Sequence, residues 1–165
     1  SSLFYYAKGG DVAQILYAMK YHARKKLCCK MGEYMAGELC DSGFFEGIDY
    51  LLPVPLFSSR LRQRGYNQSE LLARGISRVT GIPLCTDAVV RSRNNATQTH
   101  KSGYARWQNV DRLFLSTPHA ANLHDKHILL VDDVLTTGAT LVACADALLG
   151  VENIKISVLT LAWAR

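Results

Sequence analysis

The sequence lacks any long apolar run. Its longest uncharged apolar stretches are Ile128 to Val131 and Ile156 to Ala164, far short of the roughly 20 residues that a helix needs to cross a bilayer. A leader pattern is also missing, because Lys8, Asp11 and Gln14 interrupt the first 20 residues. We therefore expect neither membrane insertion nor a secretory signal.

Paired cysteines are missing as well. The five cysteines include no C-x-x-C pair and lie in or beside apolar segments, at Cys28, Cys29, Cys40, Cys85 and Cys144. This usage is typical of reduced core thiols in a cytoplasmic protein, and it argues against a disulfide framework or a zinc site. The histidines form no H-x-x-x-H pair, so a histidine metal centre is not expected.

Acidic residues are the minority among the charged side chains. Fourteen Asp and Glu stand against nineteen Lys and Arg, which gives a formal net charge of +5 at pH 7. This excess favours anionic partners, such as phosphate, a nucleotide or nucleic acid, without selecting one of them. With 48% hydrophobic residues, the composition is that of a globular protein and excludes a disordered chain.

Apolar periodicity alternates along the chain between the helical and the strand pattern. Helices are predicted from Asp11 onward and over 27–39, 67–79 and 140–149, with Asp11 and Asn67 as N-caps. Strands are predicted over 48–54, 84–90, 127–131 and 154–164. This alternation predicts an α/β fold with a mainly parallel central sheet flanked by helices. Its length suits a single domain, 1–165, with the helices of segment 11–43 packed on the sheet.

Segment 91–112 departs from this alternation. It has no apolar periodicity and is rich in Asn, Gln, Thr, Ser and Arg. A polar stretch of this length inside a domain is typical of a functional lid or of an ordinary mobile surface loop. Both interpretations stay open from the sequence.

The stretch with the most chemical information runs from Ile128 to Thr140. Four apolar residues form a buried strand, and a Thr/Gly loop leads from it into a helix. Asp132 and Asp133 are expected to stand exposed at the carboxyl end of the strand. Ligands bind at this edge of open α/β sheets. The loop amides and the helix N-terminus suit a phosphate, and the carboxylates accept hydrogen bonds from paired hydroxyls. The pattern therefore predicts a ribose 5-phosphate site, unless the two acids merely cap a turn.

No Walker A loop and no G-x-G-x-x-G fingerprint occur in the sequence. An apolar strand, two acids and a Thr/Gly-rich loop instead resemble the fingerprint for 5-phosphoribosyl 1-diphosphate (PRPP) in type I phosphoribosyltransferases. Further motifs extend the resemblance over nearly the whole chain: Ala18-Met19-Lys20-Tyr21, Leu52-Pro53-Val54-Pro55, Arg60, Arg64-Gly65-Tyr66-Asn67-Gln68, Leu71-Leu72-Ala73, Arg91, Gln98, Arg106 and Asn109-Val110. Together they resemble the ComF family of competence-associated proteins, which includes GntX-like proteins. The small cysteine-rich segment that commonly begins such proteins is lacking, as in a trimmed chain or a short family member.

The resemblance implies a Mg²⁺-dependent enzyme that transfers the phosphoribosyl group of PRPP to a nitrogenous acceptor and releases diphosphate. It implies that Asp132 and Asp133 hold the ribose and, largely through the substrate, Mg²⁺. The residues implied for the 5-phosphate loop are Val134, Leu135, Thr136, Thr137, Gly138, Ala139 and Thr140. Those implied for the diphosphate are Pro55, Arg60 and Arg64.

Arg60, Arg62 and Arg64 form a basic cluster after the strand predicted over 48–54. If the segment is helical, Arg60 and Arg64 share a face and Arg62 points away, although a solvated basic turn is the simpler alternative. Segment 91–112 resembles a hood that closes over the reaction centre, with Lys101 and Arg106 as catalytic contacts.

Two alternatives to an enzyme remain open. The protein could sense PRPP or a nucleotide without catalysis, or it could bind single-stranded DNA as an accessory to DNA-uptake proteins. No motif identifies the acceptor, and a homodimer is a further open alternative.

Overall fold

A computed structural model describes residues 1–7, 10–21, 24–92 and 113–164. The strands in this part of the chain are β1 (Ser2–Tyr6), β2 (Tyr50–Pro53), β3 (Val89–Arg91), β4 (Phe114–Ser116), β5 (His127–Leu135) and β6 (Lys155–Ala164). The α-helices are α1 (Asp11–Tyr21), α2 (Lys25–Cys40), α3 (Ser58–Arg64), α4 (Gln68–Thr80) and α5 (Ala139–Asp146), and a short 3₁₀ helix spans Pro118–Leu123. No α-helix among these residues is long and apolar enough to cross a membrane.

Four of the strands form one parallel sheet in the order β1-β6-β5-β2. The predicted α/β fold class is confirmed. β5 lies inside the sheet, where Leu129 pairs with Leu51 on one side and with Ser157 on the other. β2 and β5 are parallel neighbours, with Pro53 opposite Val131, so their carboxyl ends meet at the same edge.

Helices cover the sheet on both faces. Side chains that alternate along a strand belong to different clusters: Leu51 and Leu129 pack with residues of α1, α2 and α4, whereas Leu52 and Leu130 pack with α5, the 3₁₀ helix and the β3–β4 pair. This alternation follows from the period of two in a β-strand. β5 is buried on both faces, which explains its unbroken apolar run from Ile128 to Val131.

Several predicted boundaries differ from the structure. β5 does not end at Val131 but continues to Leu135, because its parallel pairing with β6 continues through Asp132 and Val134. The predicted strand 84–90 is wrong as a single element. Leu84 forms one isolated bridge to Leu51, and β3 leaves the main sheet to pair with β4.

The strand β1 was not predicted from its aromatic sequence, because its partner, β6, lies far along the chain.

Other differences concern the ends of helices and the burial of cysteines. Asp11 is the first residue of α1, and the carbonyl of Gly10 accepts the first helical hydrogen bonds. The helix α5 ends at Asp146 and not at residue 149, because tighter turns replace the α-helix after Asp146. All five cysteines are free thiols, as predicted, but Cys40 is exposed and no core residue.

Helices α2 and α4 approach each other through two glycines. A Cβ atom on Gly32 would overlap the carbonyl oxygen of Leu72, and one on Gly75 would overlap that of Cys29. Backbone atoms cannot move aside as a flexible side chain can, so this contact requires glycine at both positions. The glycine pair lets α2 pack directly on α4, which in turn packs on the sheet.

We expect Gly75→Ala to destabilise the fold by about 3 kcal/mol, since the added methyl group must push two helix backbones apart. Gly37→Ala is the matched control, because Gly37 lies in the same helix pair and an added Cβ meets nothing within 4 Å. The control should gain up to about 1 kcal/mol from the higher helix propensity of alanine. Urea denaturation measures both free energies of unfolding. Equal effects would contradict the proposed close approach.

Candidate functional site

The loop after β5 leads into the N-terminus of α5. Thr136 and Thr137 are exposed, and Gly138 precedes the helix with a φ of +79°, a conformation that glycine adopts without strain. The hydroxyl of Thr137 accepts a hydrogen bond of 3.3 Å from the backbone N–H of Ala139. The first turn of a helix leaves N–H groups without intrahelical partners, so this loop offers several donors to an anion.

The two adjacent acids have different environments. Asp132 is half-buried and lines a small cavity together with the loop residues Thr136, Gly138 and Thr140. Asp133 is 7% exposed, and its Oδ2 atom lies 2.7 Å from Nζ of Lys20. Both acids belong to β5, where successive side chains alternate. The expectation of two exposed carboxylates at a strand end is therefore wrong for Asp133.

Oδ1 of Asp132 accepts two hydrogen bonds. One comes from the hydroxyl of Ser69 at 2.8 Å and the other from the backbone N–H of Asp133 at 2.9 Å. Burial and, secondarily, the charge of Asp133 raise the pKa of Asp132, against the opposing effect of these two hydrogen bonds. The two donors thus orient the carboxylate of Asp132, while burial and the charge of Asp133 disfavour its ionised form.

The segment from Arg64 to Gln68 fixes the surroundings of this carboxylate. The Tyr66 hydroxyl donates to the carbonyl of Met19 at the end of α1. Asn67 caps α4 by accepting from the N–H of Ser69, as predicted, and donates through Nδ2 to the carbonyl of Val54 just beyond β2. Tyr66 and Asn67 thereby join α1, α4 and the end of β2 around Ser69, which holds Asp132.

The basic cluster lies on α3, which begins after β2 at the same edge of the sheet. Arg60 and Arg64 are half-buried, whereas Arg62 is exposed. The segment is helical, which is the condition under which Arg60 and Arg64 were expected to share a face. Pro55 is half-buried between β2 and α3, so the elements expected to hold diphosphate and 5-phosphate begin at neighbouring strand ends.

Comparisons with known proteins agree with this geometry. A family model described as "Phosphoribosyl transferase domain" matches residues 66–164, more than half of the chain. Competence protein F of Haemophilus influenzae is 38% identical over 108 residues, which cover 64% of this chain and 47% of that protein. The chain is a ComF-like member of the type I phosphoribosyltransferase family.

Two further relatives support this assignment. The DNA utilization protein YhgH of Escherichia coli (strain K12) is 30% identical over 84% of the ComF-like chain and 61% of its own length. Competence protein ComFC of Bacillus subtilis is 35% identical over 60% of the chain and 38% of its own length. The ComF-like chain therefore spans between 38% and 61% of the curated relatives named here.

Arg91 lies near the candidate site, although the sequence analysis gave it no role there. Its guanidinium lies 5.2 Å from the centre of the Phe114 ring. Burial and the nearby charge of Arg60 lower the pKa of Arg91, whereas Asp132 raises it. Arg91 therefore belongs to the same charge cluster as Arg60 and Asp132. Its sequence signals were its place among the motifs that carry the family resemblance and its position at the start of segment 91–112.

Lys101 and Arg106, the predicted hood contacts, lie outside the described residues. Cys144 lies near Asp132, but burial raises the pKa of Cys144 to about 12. Its thiol stays protonated at neutral pH and is no candidate nucleophile. A larger open cavity near His124 and Leu149 contains neither the acids nor the threonine loop, and we assign it no role.

Protein ligands for Mg²⁺ are few among the described residues. Within the described ranges, no group of three or more His, Cys, Asp or Glu side chains could hold a metal ion. Asp132 offers a partly exposed carboxylate beside the loop, and Mg²⁺ is commonly bound through one or two carboxylates plus substrate phosphates. The site fits an ion held largely by the ligand.

We expect Asp132→Asn to stabilise the metal-free protein at neutral pH by roughly 1–2 kcal/mol, a value reduced for the partial exposure of this carboxylate. The folded-state pKa of Asp132 is raised, so wild-type stability falls as pH rises from the ordinary value of an Asp toward the raised one. The asparagine variant lacks this loss, and the two proteins should converge at low pH. Urea denaturation in EDTA from pH 3 to 8 measures the difference. A constant difference across this range would contradict the shift.

Proposed function

We propose that this ComF-like chain binds PRPP with Mg²⁺ and transfers its phosphoribosyl group to a nitrogenous acceptor, releasing diphosphate. One observation carries the proposal: Asp132 lines the same small cavity as the threonine loop at the N-terminus of α5. A carboxylate that accepts hydrogen bonds from hydroxyl groups, placed beside a phosphate-binding loop, matches the ribose 5-phosphate half of PRPP. The family membership of the chain supports the same ligand class.

Each part of the ligand has a matching element. The N–H groups and hydroxyls from Thr136 to Thr140 bind the 5-phosphate, and Asp132 accepts hydrogen bonds from the ribose hydroxyls. On α3, Arg60 and Arg64 bind the diphosphate with charge-assisted hydrogen bonds. Arg91 adds a third positive charge near Arg60 and Asp132.

The arginines supply the electrostatic part of catalysis. As the bond from ribose to diphosphate breaks, negative charge grows on the leaving group, and a fixed guanidinium stabilises it more than the ground state. Asp132 and the ligand itself would hold Mg²⁺, which would supply positive charge to offset the charge that grows on the diphosphate. The acceptor nitrogen attacks without a general base from the described residues.

A non-catalytic role is the second candidate, and it has its own observation. Nζ of Lys25 lies 5.9 Å from the centre of the Tyr66 ring, and Arg64 is close enough to Tyr66 to lower the pKa of its phenol against the dominant effect of burial. Basic side chains of α2 and α3 therefore approach each other beside the site, as a single-stranded DNA surface requires. Two relatives are named for competence and DNA utilization, and we propose the same cellular context here.

Diphosphate release from PRPP tests the enzymatic proposal. The wild type should release diphosphate only with Mg²⁺, slowly in water and faster with a suitable nucleobase, ammonia or a small amine as acceptor. Arg60→Ala/Arg64→Ala should lower the rate by about a hundredfold, because two charge-assisted contacts to the leaving group are lost. Arg62→Ala is the matched control, since Arg62 is the exposed arginine of the same helix.

The outcomes separate the two candidates. Tight PRPP binding by calorimetry without diphosphate release for any acceptor would favour a sensor. Oligonucleotide binding that weakens between two salt concentrations, without PRPP binding, would favour the DNA role. Equal rates for the double variant and Arg62→Ala would remove the diphosphate site from α3.

A further inference from the structure

The adjacent carboxylates of β5 are committed to different partners. Asp132 lines the cavity of the loop and takes its hydrogen bonds from Ser69 and from the backbone. Asp133 forms an ion pair with Lys20, and the two side chains are only 10% and 24% exposed. This contact joins β5 to α1, 113 positions earlier in the sequence.

Lys20 is held in place by the core and is not a free surface lysine. It belongs to the last turn of α1, and its neighbour Met19 is fully buried. The hydroxyl of Tyr66, itself 6% exposed, donates to the carbonyl of Met19. The end of α1 is therefore fixed at the backbone, and Nζ of Lys20 reaches Asp133 from a defined position.

The charge of Lys20 matters because the proposed ligand is a polyanion. Two carboxylates beside a phosphate loop would repel PRPP, and each would oppose the charge of the other. An ammonium group at 2.7 Å offsets the charge of Asp133 and leaves Asp132 as the single carboxylate lining the cavity. Ser69 from α4 donates a hydrogen bond to Asp132, and the charges of Lys20 and Arg91 also favour its ionised form.

We propose that Lys20 is a positioning residue of this site: it neutralises Asp133 and binds it to α1, so that Asp132 alone contacts the ribose hydroxyls. Asp133 then acts through Lys20 and does not touch the ligand. This inference rests on the proposed PRPP binding. It assigns unequal roles to two acids that the sequence pattern treats as equivalent.

Calorimetry with PRPP and Mg²⁺ on five variants tests the inference. Asp132→Asn should raise the Kd about a hundredfold, whereas Asp133→Asn should stay within about threefold of the wild type. Lys20→Met should raise the Kd about tenfold or more, because the charge of Asp133 becomes uncompensated. The Kd of Lys20→Met/Asp133→Asn should return to within about threefold of the wild type, and Lys20→Arg should retain binding. Neither variant leaves Asp133 as an unpaired charge.

A salt series separates charge from structure. The loss in Lys20→Met should shrink as ionic strength rises, because repulsion of the ligand is screened; a loss caused only by misfolding would not. Lys30→Met is the matched control, since Lys30 forms an exposed ion pair with Glu33 on α2 and should leave PRPP affinity unchanged. Thermal melts establish whether each variant is folded. If Lys20→Met does not fold, the PRPP affinity of the double variant is compared with that of the wild type instead.

Each result decides one claim. A wild type that does not bind PRPP overturns the proposed function and this inference with it. A wild type that binds, with equal losses in Asp132→Asn and Asp133→Asn, overturns the inference alone. So does wild-type affinity in a folded Lys20→Met, or a double variant that binds no better than Lys20→Met.

Discussion

The parallel pairing of β5 with β6 is the constraint on which the rest of the site depends. Because this ladder continues past Val131 as far as Leu135, the two acids are strand residues and face opposite ways. A strand that ended at Val131 would leave both carboxylates on a loop, free to turn toward one ligand. The extra residues of pairing thus decide that one acid meets the cavity and the other meets Lys20.

A second set of contacts transmits this order to the helices. The glycines of α2 and α4 bring two helix backbones together, and α4 carries Ser69 to the oxygen of Asp132. Tyr66 and Asn67 then tie the end of α1 and the end of β2 to the same point. Tyr66 and Asn67 therefore act mainly by positioning other elements of the fold, whereas the neighbouring Arg60 and Arg64 supply positive charge.

Local chemistry explains which features could be predicted. Asn67 as a cap, the helical face shared by Arg60 and Arg64, and the buried run before Asp132 depend on neighbours within a few residues, so the sequence alone revealed them. The pairing of Lys20 with Asp133 and of Tyr66 with Met19 joins residues far apart in the chain, and no periodicity encodes such contacts. The strand predicted over 84–90 failed for the same reason. Val89 is as apolar as a core strand requires, but its partner is Ser116 of β4 and not the main sheet.

The place of β1 in the sheet also affects how the chain folds. Ser2 pairs with Thr160 and Phe4 with Ala162, so among the described strands β1 has its sheet neighbour in β6, far along the chain. Contacts of such long sequence separation slow folding, because loop-closure entropy must be overcome before they form. During synthesis the aromatic residues of β1 therefore leave the ribosome well before β6, their partner in the sheet. This edge of the sheet cannot form until β6 has followed.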